Sequence, residues 1–166
     1  MAKVFGSIST FAERMFNDVS DFVEDITDEL SDKMKDHLVA NGSIDTYQLY
    51  FSLRPDTERS SNKIVSTVLM DAQNPINGAY YGSFVNYGTG ANHSADGGGR
   101  TSPWEFWSDK YRRWIVTDGQ DPKPFIEPAI HDVLGVDPNS DDKKGTFAKL
   151  TAERINEFMD KNYKKL

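Results

Sequence analysis

Phe84-Val85-Asn86-Tyr87-Gly88-Thr89-Gly90 ends a short helix on a glycine and turns the chain sharply. Its counterpart, Gln120-Asp121-Pro122-Lys123-Pro124-Phe125-Ile126-Glu127-Pro128-Ala129-Ile130, uses its three prolines to stiffen an approach and start another helix. Proline is tolerated in a helix's first turn, where its missing amide costs nothing. Neither motif offers a nucleophile, a general base or a metal cage. Both read as architecture, and architecture points to assembly.

Upstream, Phe11, Met15, Val19, Phe22, Val23, Ile26, Leu30, Met34 and Leu38 recur at the three-and-four spacing of one helix face. They predict a long amphipathic helix from Thr10 to about Ala40. Thr10 with Glu13 reads as a capping box, and Asn41-Gly42 as the stop. On the other side Asp18, Asp21, Asp25, Asp28, Asp32 and Asp36 also step by three and four. Like charges so placed cost roughly 0.2–0.5 kcal/mol per pair. The stripe is either a solvated outer face or a surface presented to a basic partner or to passing DNA.

From Thr46 the period becomes two. Tyr47, Leu49, Phe51 and Leu53 predict a half-buried strand that ends at Arg54-Pro55-Asp56-Thr57, with a polar turn to Asn62. Lys63 to Asp71, rich in β-branched residues, predicts a second strand. The two form an antiparallel hairpin whose apolar face receives the long helix. Asn74-Pro75 opens a short helix over residues 76–85, with Tyr80, Tyr81 and Phe84 reaching back to the sheet.

Residues 90–102 read as a flexible loop that orders on docking against a partner or a neighbouring subunit, bringing His93 and Arg100 with it. Its glycines do not make a phosphate loop, since no strand precedes them, no helix follows and no lysine is suitably placed. Trp104, Phe106, Trp107, Tyr111, Trp114 and Ile115 then suggest a second hairpin, about Trp104–Ser108 and Arg112–Val116, turning near Asp109-Lys110. All three tryptophans lie here, more than a chain this size buries easily, so part of this surface reads as an interface. Arg112 and Arg113 beside it are placed to meet the acidic stripe of another subunit. Pro124 to about Leu134 is helical, residues 135–145 are an acidic connector, and residues 146–166 form a last helix capped by Thr146. Lys161, Lys164 and Lys165 complement that helix's dipole.

The totals agree with one folded domain: 166 residues, 37% hydrophobic and 12% aromatic, exclude a disordered chain. With no cysteine, disulfides, thiol chemistry and cysteine-based zinc sites are excluded. The net charge is -7, and residues 1–45 alone carry -6, which argues against general nucleic-acid binding. The N-terminus lacks a signal-peptide core and no apolar run is long enough for a bilayer, so a soluble chain is expected. His37, His93 and His131 are scattered without metal spacing. His93 with Asp96, joined by Ser94 or Glu105, is the one conceivable catalytic grouping, and a glycine-rich loop is a poor mount for chemistry. No catalytic residue, cofactor or metal is assigned.

With these motifs in order, the chain resembles the tail-completion or neck proteins of long-tailed bacteriophages. The resemblance rests on the long N-terminal helix followed by Asp45-Thr46-Tyr47-Gln48-Leu49-Tyr50-Phe51-Ser52-Leu53, on Tyr81…Val85-Asn86-Tyr87-Gly88-Thr89, and on Gln120…Pro124-Phe125-Ile126-Glu127-Pro128-Ala129. It spans about residues 10–134. Its structural positions here are Tyr87, Gly88, Thr89, Pro124, Phe125, Pro128 and Ala129. The family commonly has glutamate where this chain has Asn86, and residues 90–117 and the C-terminal extension are longer than usual. The resemblance implies an α+β fold, with a long N-terminal helix and a C-terminal helix on a small antiparallel sheet. It implies a non-enzymatic virion subunit at the head-tail interface, joining the tail to the DNA-filled head, as a ring of copies. Implied partners are tail-terminator or tail-tube and head-completion or connector proteins, with DNA passing unbound and no membrane involved. The candidate interface positions, read from the acidic stripe, the loop and the aromatic hairpin, are Asp18, Asp21, Asp25, Asp28, Asp32, His93, Arg100, Trp104, Trp107, Arg112, Arg113 and Trp114. A tail terminator or head-proximal connector subunit is the nearest alternative. A small host-directed enzyme or inhibitor using residues 90–107 is the alternative of a different class.

Overall fold

Helix α1 (Ile8–Ala40) runs 33 residues, about 50 Å at 1.5 Å per residue. The computed structural model describes residues 8–43, 47–74, 78, 80–92, 102–108, 111–135 and 153–162. Because α1 already includes Ile8, Thr10 lies inside it and is not the N-cap that the Thr10/Glu13 pattern predicts. The other end is as expected. Gly42 takes φ 61°, its amide donates to the Val39 carbonyl, and the Ser43 amide donates to the Leu38 carbonyl. That double bond is a Schellman stop.

The predicted strand from Tyr47 is instead a helical turn, α2 (Gln48–Ser52). Alternation at 47, 49, 51 and 53 would bury Phe51 and Tyr47, yet these are 75% and 56% exposed. Leu49, Ser52 and Leu53 are the buried positions, which is the three-and-four spacing of a helix. Extended structure begins where the turn was expected. β1 (Leu53–Ser60) pairs antiparallel with β2 (Lys63–Met70) across a two-residue turn, Ser61-Asn62. Pro55 sits within β1 because a two-stranded sheet has only edge strands. Leu53, Thr57 and Arg59 share the sheet face of Met70, Val68, Ser66 and Ile64. This face lies along α1: Ser31 Oγ donates to the Leu53 carbonyl at 3.3 Å, and Arg59 reaches Asp21 and Glu24 at 3.3 and 2.7 Å. Ser20, Thr27 and Ser31, buried on one side of α1, keep that side slim enough for the close approach.

Helix α3 (Gly82–Tyr87) is shorter than predicted. Tyr80 pairs with Gln73 in an isolated bridge, so helix cannot begin before Tyr81. Of the three aromatics expected to reach back, only Tyr81 packs on the core, while Tyr80 and Phe84 are exposed. A single 3-10 turn (Gly90–Asn92) follows. The second hairpin forms as predicted to within one residue, from β3 (Trp104–Ser108) and β4 (Arg113–Thr117). Helix α4 is Ile126–Leu134, and α5 covers residues 153–162. Thr146, Lys164 and Lys165 of the predicted last helix, and the turn at Asp109-Lys110, lie outside the described residues.

The fold is α+β, with helices and two small antiparallel sheets rather than one. Its core joins the C-terminal half of α1 to the rest: Met34, Leu38, Leu49, Leu53, Phe125 and Ala129 are all 5% exposed or less. Burying the leucine, methionine and phenylalanine side chains among them stabilises by about 1.5–3 kcal/mol each.

Candidate functional site

The two opening motifs dock on each other, and Asn86 is the fastener. Its side chain is 1% exposed. Oδ1 accepts the amides of Phe125 and Ile126 at 2.8 and 3.0 Å, and Nδ2 donates to both Glu127 carboxylate oxygens at 3.0 and 3.3 Å. These amides belong to the first turn of α4, which has no intrahelical partners for them. A residue forty positions earlier therefore caps the helix, and Glu127 in that first turn also suits the helix dipole. The asparagine amide donates to Glu127 while its carbonyl accepts two N–H groups, a combination that a carboxylate at this position would not supply.

Around this point the two chain segments run close together. Thr89 donates its amide to the Gln120 carbonyl at 2.9 Å, and Lys123 donates its amide to the Val85 carbonyl at 2.9 Å. Gly88 has φ 77° and ψ -177°, a region open essentially to glycine alone. A Cβ on it would stand 2.6 Å from the Gln120 carbonyl oxygen. Gly119, at φ 125°, is held as closely against Thr89. Asn41 Nδ2 donates to the Pro124 carbonyl at 2.6 Å, tying the assembly to the end of α1. Tyr87, Gly88, Thr89, Pro124, Phe125, Pro128 and Ala129 are thus brought together, with Phe125 and Ala129 fully buried.

The β3–β4 hairpin projects from this base. Trp104, half-buried, covers Gly90, with its ring 2.7 Å from where a Cβ there would stand. Beyond it Trp107 and Trp114 are cross-strand partners, their rings edge to face at 6.0 Å. They remain 47% and 65% exposed, and Val116 on the same face is 64% exposed. Phe106 and Ile115 pair on the opposite face, so both faces carry apolar side chains, with exposed Glu105 on the tryptophan face and Arg113 on the other. Arg112, at φ 50°, stands in the turn with no acidic partner among the described residues, and Arg113 lies over the Tyr111 ring at 5.9 Å. His93 and Arg100 lie outside the described residues.

The acidic stripe is partly neutralised within the chain. Asp18 faces Arg14, Asp21 faces Arg59, Asp32 faces Lys35 and Asp36 faces Lys33. Asp25 and Asp28 have no cationic partner among the described residues. Glu24 and Asp21 together push the Arg59 guanidinium above its ordinary pKa, mainly through the hydrogen bond to Glu24. Between α1 and α5 runs a groove of about 520 Å³. Phe22 and Phe158 meet in it at 4.9 Å, and Arg154 reaches Glu29 at 3.1 Å.

Sequence reasoning missed the Asn86–Glu127 pair, although Asn86 stands inside the motif and Glu127 in a helix's first turn. It also missed the tie between His37 Nε2 and Asp132 at 3.0 Å, which joins α1 to α4 and holds the Asp132 carboxyl below its ordinary range. Such pairs are separated by 41 and 95 residues, and only the fold brings them together. Among the described residues no helix is long and apolar enough to cross a membrane. Comparison of the chain with protein-family models, with curated proteins and with solved structures gave no match.

Proposed function

We propose that the chain is a structural subunit of the head-tail connection of a long-tailed bacteriophage, completing the tail and joining it to the DNA-filled head. The observation that carries this reading is the base at Asn86. The two motifs behind the resemblance fasten to each other there, and the platform they make presents an aromatic hairpin to solvent. Exposed tryptophan and arginine on a fixed scaffold are what a protein interface uses. The weight of negative charge on the first 45 residues would let DNA pass without being held. Copies would form a ring through a contact between unlike patches.

The test is location. Antibody against the chain should decorate the junction of head and tail in purified virions. Absence from virions, or labelling of the capsid wall or tail tip, would refute the reading.

A further inference from the structure

The groove between α1 and α5 and the end of the β3–β4 hairpin carry apolar surface and opposite charge, and we infer that the hairpin of one copy docks into the groove of the next. This rests on the assembly reading above and names its interface. The groove has an apolar floor, Phe22, Ile26 and Phe158, flanked by Asp25 on one wall and Glu157 on the other. Neither carboxylate has a cationic partner among the described residues. Its lining carries five carboxylates against Arg154 and Lys161. The hairpin brings the opposite set: an exposed Trp107–Trp114 pair, a second apolar face at Phe106 and Ile115, and Arg112 and Arg113 without acidic partners among the described residues. A ribbon with apolar side chains on both faces suits a groove with two walls, and desolvated opposite charges fix its register.

The hairpin of the same copy does not fill the groove, whose described lining comes from α1 and α5 alone. That hairpin starts from Gly90 and Gly119, and the strand that follows it is tied at Lys123 and Pro124 to Asn41 and Gly42 at the C-terminal end of α1. Asn41 is about 24 Å from Asp25 at 1.5 Å per residue. The occupant is therefore taken to be another copy. A contact between unlike patches of identical copies is head-to-tail, and repeats into a ring or a filament.

The chain has no cysteine, so a cross-link reports cleanly. Mixed Asp25→Cys and Arg113→Cys proteins, oxidised at high concentration, should give the heterodimer at least about ten-fold faster than Val39→Cys mixed with Arg113→Cys, a gain of about 1.4 kcal/mol in encounter preference. Val39, exposed on α1, stands about 21 Å along the helix from Asp25. Charge reversal gives a second reading: Arg112→Glu/Arg113→Glu and Asp25→Arg/Glu157→Arg should each lose self-association by light scattering and regain it when mixed. Cross-linking no faster than the control, or no recovery in the mixture, overturns the inference. Virion labelling at the junction with such a failure would leave the neck reading standing and move the interface elsewhere.

Discussion

Replacing Asn86 by aspartate changes one buried NH2 to oxygen and tests the fastener directly. Oδ1 still accepts the Phe125 and Ile126 amides, but the group that donated to Glu127 at 3.0 Å becomes a second carboxylate oxygen. Two carboxylates at that separation repel by about 5 kcal/mol at an effective dielectric of about 20. Holding a proton at pH 7 on a carboxyl of ordinary pKa near 4 costs about 4 kcal/mol. The pair therefore takes up a proton, and about 4 kcal/mol is the expected loss of stability at pH 7. The sign follows from linkage: the folded pair binds a proton that the unfolded chain releases above pH 4, so stability falls as pH rises, by about 1.4 kcal/mol per unit. Near pH 4.5 the protonated aspartate donates to Glu127 as the amide did, and the variant should approach wild type. Asn86→Ala strands the same amides at every pH and should lose about 2–4 kcal/mol in both conditions. Urea unfolding at the two pH values measures all three proteins. A loss below about 1 kcal/mol for Asn86→Asp at pH 7, or one independent of pH, refutes the assignment.

Three further outcomes are expected. Phe125→Ala should cost about 3–5 kcal/mol in chemical unfolding, since the ring is fully buried, whereas Trp114→Ala should stay within about 0.5 kcal/mol and reduce association instead. Gly88→Ala should lose at least about 1–3 kcal/mol from backbone strain alone, and more from its clash with the Gln120 carbonyl, read as a lowered urea midpoint. Asp132 has its pKa lowered chiefly by the hydrogen bond from His37, so its contribution is present at neutral pH and lost as pH falls below about 4. The difference in melting temperature between wild type and Asp132→Asn should shrink through that range, and a difference that grows would contradict the pairing.

Long-period patterns were legible in the sequence, and local ones less so. The long first helix declares itself through Phe11 to Leu38, and the Gly42 stop, the strand from Lys63 and the second hairpin follow from turn and strand chemistry. Residues 47–53 misled because four apolar positions at period two overlap with a single helical turn, and packing of Leu49 and Leu53 on α1 decided between them. Tyr80 and Phe84 misled because aromatic residues imply burial only on average, and the bridge to Gln73 turns Tyr80 outward. The candidate interface was half legible: the crowding of tryptophan and arginine named the hairpin, while the opposing groove exists only once α5 lies on α1.

The most direct measurement is the solution mass of the purified chain by light scattering over a concentration series, alone and with the tail-tube and head-completion proteins proposed as its neighbours. A discrete closed oligomer, formed alone or induced by a neighbour, is the predicted result. A monomer at every concentration, indifferent to each neighbour, would contradict it.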